Sequence, residues 1–172
     1  MSHKRGFTLV ELMVVIGIIA ILAGIVMTSL SSAKYRANDT KRKSDLKNLA
    51  LSLSVYYNDN NAYPSTGNTG GSSCNSWWGN TTDYGNKTNY IPGLAPAYTN
   101  TSALPQDPQL DGTTAINRAY LYCSDGQSYK LIDNFPANSQ VASTPTSDEF
   151  YDPARPTWSW MVCSGATACS MW

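Results

Sequence analysis

A chain of 172 residues with zero formal net charge and 14% charged residues has room for one modest soluble domain and lacks the basic footprint of a nucleic-acid-binding surface. Its single histidine, His3, precedes everything else of note. Downstream of it no Ser-His-Asp or Cys-His arrangement exists, and Asp107, Asp111, Asp125, Asp133, Asp148, Glu149 and Asp152 fall in no catalytic spacing, so no enzyme is expected.

The first element is the run GFTLVELMVVIGIIAILAGIVM, Gly6 to Met27, apolar except for Thr8 and one acid, Glu11. A carboxylate near hydrocarbon costs about 2.5–3.5 kcal/mol at a helix centre, so Glu11 needs a partner. No Lys or Arg lies between Phe7 and Lys34. The partner is therefore interfacial water, another subunit, or an amine made by processing. Cleavage between Gly6 and Phe7 would set the Phe7 ammonium about one helical turn before Glu11. A secretory signal has an apolar stretch of about 7–15 residues, whereas this run is about 21. A plain membrane anchor explains the length but leaves Glu11 and the Gly6-Phe7 junction as coincidences. Gly17 and Gly24 are not a GxxxG pair and serve as filler or as contact points.

Lys4 and Arg5 before the run, and Lys34, Arg36, Lys41, Arg42 and Lys43 after it, give opposing topology signals. Asp39 stands four residues before Lys43, and Asp45 four after Lys41, so the basic cluster reads as a solvated, partly paired helix face. The four cysteines, Cys74, Cys123, Cys163 and Cys169, all lie beyond the apolar run. They place the chain beyond about residue 30 in an oxidising compartment outside the cytoplasm.

Helical patterning continues as a stripe of Leu46, Leu49, Ala50, Leu53 and Tyr57. No proline interrupts Phe7 to Asp59, which predicts one helix over 7–58, roughly 75–80 Å long. Asn58-Asp59-Asn60-Asn61 and Pro64 end it. Ser65 to Asn89 is a polar loop whose Trp77-Trp78 pair reads as a packing anchor or as a carbohydrate-stacking face. Prolines between Tyr90 and Pro108 force an extended path. Ala119–Cys123, a Ser124-Asp125-Gly126 turn and Gln127–Ile132 make a hairpin, with Tyr120 and Tyr122 on one face and Leu121 and Cys123 on the other. Thr157–Cys163 reads as a final strand. The class is α+β: a long N-terminal hydrophobic helix packed on a small antiparallel sheet, with a disulfide-bonded C-terminal region. Three cysteine connectivities are open; the preferred set is Cys163–Cys169 with Cys74–Cys123, the latter loop worth a few kcal/mol, about 3–5. Zinc is disfavoured, since no C-x-x-C spacing occurs. Asn80, Asn86 and Asn100 match the glycosylation acceptor pattern, which arises by chance in Asn/Thr-rich sequence.

The leader Met1–Gly6 with Lys4 and Arg5, the junction Gly6-Phe7-Thr8-Leu9-Val10-Glu11 and the apolar run resemble the class III signal of bacterial type IV prepilins and type II secretion pseudopilins. The strong resemblance covers residues 4–35, with a weaker one beyond. It implies that a prepilin peptidase cuts after Gly6 and methylates Phe7, and that Glu11 aids assembly by neutralising a neighbouring subunit's N-terminus. The implied organisation is a cleaved leader over 1–6, a helix over 7–58 with 7–28 in the membrane or filament core, and a head over 59–172. Many relatives carry proline where Thr28 stands, which puts a kink there in doubt. Leu104-Pro105-Gln106-Asp107-Pro108 resembles the connector of major pseudopilins. Some of those bind calcium near the end of the sheet, where Asp148, Glu149 and Asp152 offer oxygens; no other cofactor is expected. The implied function is a structural subunit of a surface pilus, stored in the inner membrane and assembled with identical or related subunits by a dedicated platform. The alternatives are a periplasmic pseudopilus subunit and a membrane-anchored carbohydrate-binding domain.

Overall fold

The computed structural model of the chain describes residues 6–66, 90–110 and 118–171. Helix α1 runs from Leu9 to Asn60 as 52 uninterrupted residues. The chain divides into two compact units, Met1–Ala37 and Asn38–Trp172.

In the first unit the helix starts at Leu9 rather than Phe7, because Thr8 caps it. The Thr8 hydroxyl accepts from the Glu11 N–H at 3.2 Å, while the Glu11 carboxylate accepts from the Thr8 N–H at 2.8 Å, the reciprocal pattern of a capping box. Every large apolar side chain from Phe7 to Leu30 is exposed, the least exposed being Val15 at 48%.

In the second unit α1 behaves differently. Leu46, Leu49 and Leu53 are at most 2% exposed, worth about 1.5–3 kcal/mol each for leaving water. Ala50 and Tyr57, at the edge of the stripe, are half-buried. The helix ends where Asn61 turns left-handed at φ 52°; its N–H bonds the Tyr57 carbonyl at 2.8 Å, and the Asn60 side chain donates to the Tyr56 carbonyl at 2.9 Å, satisfying acceptors that a helix end leaves open.

The sheet is antiparallel in the order β1 (Ala119–Ser124), β2 (Tyr129–Asn134), β3 (Ser159–Cys163). Ser124 pairs with Tyr129 and Ala119 with Asn134 in the first ladder; Lys130 pairs with Cys163 and Asn134 with Ser159 in the second. Strand β2 begins at Tyr129, two residues later than the sequence pattern suggests. The cause is Asp125, whose carboxylate accepts from the backbone N–H groups of Gln127 and Ser128 and diverts them into the turn. Gly126 holds φ 91° there, a conformation that suits glycine.

The tyrosine face of β1 meets the helix. Tyr120, Tyr122, Tyr129, Leu131 and Trp160 share one core with Leu46, Leu49 and Leu53, closed by Tyr90, Ile91 and Leu94. The opposite face is buried too, since Ala119, Leu121, Ile132 and Met161 pack with Leu110, Cys163 and Cys169. A short helix α2 (Ala166–Met171) follows β3. Cys163 and Cys169 form a disulfide. Cys123 is disulfide-bonded as well, and its expected partner Cys74 lies outside the described residues, as do Trp77, Trp78, Asn80 and Asn86.

Candidate functional site

At the N-terminal site, Gly6 and Phe7 precede the helix, with Phe7 87% exposed. A Cβ added at Gly6 would meet nothing within 4 Å. Among the described residues nothing crowds a side chain at that position. Glu11 has an intramolecular partner, Thr8, which donates to one carboxylate oxygen from its N–H and from its hydroxyl, each at 2.8 Å. The sequence carries the signal for this bond, Thr-x-x-Glu ahead of an apolar run. Reading Glu11 only as a charge in hydrocarbon misses it. By length and composition α1 is long and apolar enough to cross a membrane.

The basic run departs furthest from the solvated face expected of it. Arg42 is fully buried. Its Nε donates to Asp107 at 2.6 Å, one terminal nitrogen to Asp39 at 2.8 Å, and the other to Asp107 at 3.2 Å, Gln109 at 3.1 Å and the Ala137 carbonyl at 3.3 Å. The planar fork of arginine suits such convergence better than an ammonium would. Asp39 also accepts from the Gln140 N–H at 3.0 Å, so its partner is Arg42 and not Lys43. Lys43 instead reaches Asp148 at 2.9 Å and sits over the rings of Phe150 and Trp160 at 5.0 and 5.2 Å. Lys41 and Asp45 alone keep the expected surface pairing, at 2.6 Å. The connector acid Asp107 thus ties α1 to the segment entering the sheet.

Asp133 of β2 adds a third carboxyl to this cluster. It faces the Arg42 Nε at 3.5 Å, yet neither of its oxygens accepts a hydrogen bond. Burial, and then the negative charge of Asp107, push its carboxyl well above the usual range, against the pull of Arg42. The Asp133 carboxyl thus holds its proton more tightly than an ordinary aspartate beside the Arg42–Asp107 pair. Burial pulls the Arg42 guanidinium down, but the Asp107 bond and the nearby carboxylates outweigh it.

The acids considered for calcium are each occupied by a cation of the chain. Asp148 takes Lys43, Glu149 takes Lys47 at 2.6 Å, and Asp152 takes Lys130 at 2.9 Å with Arg155 at 3.6 Å. Lys130 is fully buried and also donates to the Cys169 carbonyl at 3.2 Å, so this pair braces the disulfide loop. Burial draws its ammonium down and the Asp152 bond opposes that. Among the described residues no group of three His, Cys, Asp or Glu side chains is placed to hold a metal.

The prokaryotic N-terminal methylation motif matches residues 1–27. The chain is similar to the type II secretion system core protein G of Pectobacterium carotovorum, at 48% identity over 64 residues, 37% of this chain and 41% of that protein. The same core protein of Pseudomonas aeruginosa is 48% identical over 64 residues, 37% of this chain and 45% of that protein. The type IV wide pilus major component PilA4 of Thermus thermophilus is 45% identical over 65 residues, 38% of this chain and 50% of that protein. The chain thus spans half or less of the length of each of these relatives. No solved structure matches it.

Proposed function

We propose that the chain is a member of the type IV pilin and type II secretion pseudopilin family, supported by the methylation motif over residues 1–27 and the similarity of its N-terminal part to those proteins, and that it is a structural subunit of a type IV pilus-like surface filament. The observation that carries this reading is a helix whose every large apolar side chain from Phe7 to Leu30 is exposed. Burying each one is worth about 1.5–3 kcal/mol, so this segment belongs in lipid before assembly and among like helices afterwards. Gly6, where nothing among the described residues would crowd a side chain, then serves an outside reader, a prepilin peptidase that cuts before Phe7 and methylates it. The precursor resides in the cytoplasmic membrane, an assembly platform extracts it, and one heterologous contact repeated without closure builds the polymer.

Glu11 has two tasks in this reading. Its bond to Thr8 caps the helix, and its charge compensates the N-terminus of a neighbouring subunit and sets register. The two tasks separate by substitution. Glu11→Gln keeps a capping side chain and loses the charge; Glu11→Ala loses both. Both variants should be cleaved normally, and both should yield far fewer filaments in a sheared cell-surface fraction. Normal yield from Glu11→Gln would show that capping suffices and would remove the charge-pairing role.

A periplasmic pseudopilus is the second reading, favoured by the similarity to core protein G. It predicts processed subunit retained in the envelope and none in sheared material.

A further inference from the structure

Outside the apolar segment 7–30, three large apolar side chains stay exposed among the described residues: Leu51, Val55 and Phe135. Leu51 and Val55 lie one turn apart on α1 and, with Tyr98, Ala103 and Pro105, line a groove of about 520 Å³, a size that accepts a bulky side chain with room around it. The connector wall of this groove is fixed to the β1 flank of the head. The Tyr90 ring lies 6.3 Å from that of Tyr120, and the Tyr90 hydroxyl donates to the Pro105 carbonyl at 2.8 Å.

Phe135 stands elsewhere, at the end of the β2–β3 pair. Its ring is stacked on Trp158 at 4.5 Å and 10°, and its N–H bonds the Trp158 carbonyl at 2.9 Å. Its backbone is left-handed at φ 51°, which is uncommon for a bulky residue. Arg155 covers the indole at 5.5 Å. A phenyl ring is therefore braced from beneath and held 46% exposed in an unfavourable backbone conformation. Strain of this kind gathers where a surface has a task.

We propose that Phe135 of one subunit seats in the Leu51–Val55 groove of a second copy, forming the head-to-head contact of the filament. This rests on the filament reading above. Knob and groove are built from different residues of one head, so the contact is heterologous, the class that extends into a filament when its rotation does not close. The rims are complementary, with Arg155 beside the knob and Asp45 in the groove wall. Both already hold internal partners, Asp152 and Lys41, so this pair favours orientation over affinity. Phe135 is already more than half covered, so seating it buries less than the about 150–250 Å² of a whole aromatic side chain, well short of the roughly 1,200 Å² of a stable complex. The contact should operate only where packed apolar helices already hold the copies side by side.

The test uses the full chain in its producing cells, with the photoreactive phenylalanine analogue p-benzoylphenylalanine at position 135. Irradiated sheared filaments should give a ladder of cross-linked subunits, with the adduct mapping by mass spectrometry to residues 48–55 or 98–105 of another copy. Filaments that form normally but carry the adduct elsewhere, or only within one chain, overturn the groove contact and leave the filament reading intact. Absence of filaments from the unmodified chain ends both. As a second variant, Phe135→Asn tolerates the left-handed backbone and removes the knob. Filament yield should fall several-fold at unchanged head melting temperature, and undiminished yield counts against the contact.

Discussion

From Phe7 to Leu30 no large apolar side chain of α1 is buried, whereas from Asp39 to Leu53 the same helix sinks Asp39, Arg42, Leu46, Leu49 and Leu53 into the head. The first stretch finds no covering partners among the described residues. The second has them in its own sheet and connector. Composition marks the change, since a helix apolar all round is built for lipid or a filament core, and an amphipathic one for a single covered face. The lesson concerns mutations: those in the first stretch should alter processing and assembly while sparing head stability, and those in the second should do the reverse.

The largest expected effect breaks the first half alone. Gly6→Leu should abolish cleavage, leaving the leader attached on N-terminal peptide analysis, with the melting temperature of the head unchanged. Efficient cleavage of that variant would remove Gly6 from the recognition signal.

Next in size is Arg42→Ala, aimed at the second half. It leaves Asp39 and Asp107 without their main cation and Asp133 facing them, and breaking a buried pair in this way costs about 3–5 kcal/mol. Denaturant unfolding of the detergent-solubilised chain, followed by the near-ultraviolet signal of its buried tyrosines and Trp160, should show that loss while Gly6 cleavage persists. A loss below about 1 kcal/mol would place the cluster with ordinary surface pairs.

Leu49→Ala should come slightly below, at about 2–5 kcal/mol for a buried leucine. Leu22→Ala, by contrast, should leave head unfolding unaltered, because Leu22 is 56% exposed. Equal effects of the two would erase the distinction between the stretches.

The smallest effect concerns Asp133 and changes sign with substitution. Its folded-state pKa lies above the unfolded value of about 3.9, so its contribution to stability is fully present below that pH and is lost as pH rises through the folded-state pKa. Asp133→Asn abolishes this titration and supplies an N–H for Asp107. The variant should be more stable at pH 7, by about 1–3 kcal/mol, the cost of an unsatisfied buried polar group. Its melting temperature should also vary less between pH 4 and pH 7. A destabilised variant with an unchanged pH profile would mean that Asp133 is ionised and paired.

Much of the architecture was legible in the residues. The 3.6-residue stripe at Leu46, Leu49 and Leu53 and the alternation around Asp125-Gly126 are local patterns, and both became a buried face and a hairpin. The Arg42 cluster was not legible, because its partner Asp107 is 65 residues away and nothing local separates Arg42 from Lys41 on the surface. Burial of both sheet faces was hidden for a similar reason: Leu121 and Met161 are covered by Leu110 and by the disulfide-closed loop at Cys169, segments without periodicity of their own. The Thr8–Glu11 box is written in the sequence as Thr-x-x-Glu ahead of an apolar run, but the same carboxylate in apolar surroundings points equally to external partners. Phe135 gave no signal, since neither its left-handed backbone nor its stacking on Trp158 follows from neighbouring residues.

The proposed filament role of the apolar half of α1 requires a processed chain outside the membrane. Mass spectrometry of the N-terminal peptide, in sheared surface material and in the membranes left behind, tests it most directly. A peptide beginning at N-methylated Phe7 is expected in the sheared fraction; an intact leader in both fractions would overturn the filament reading.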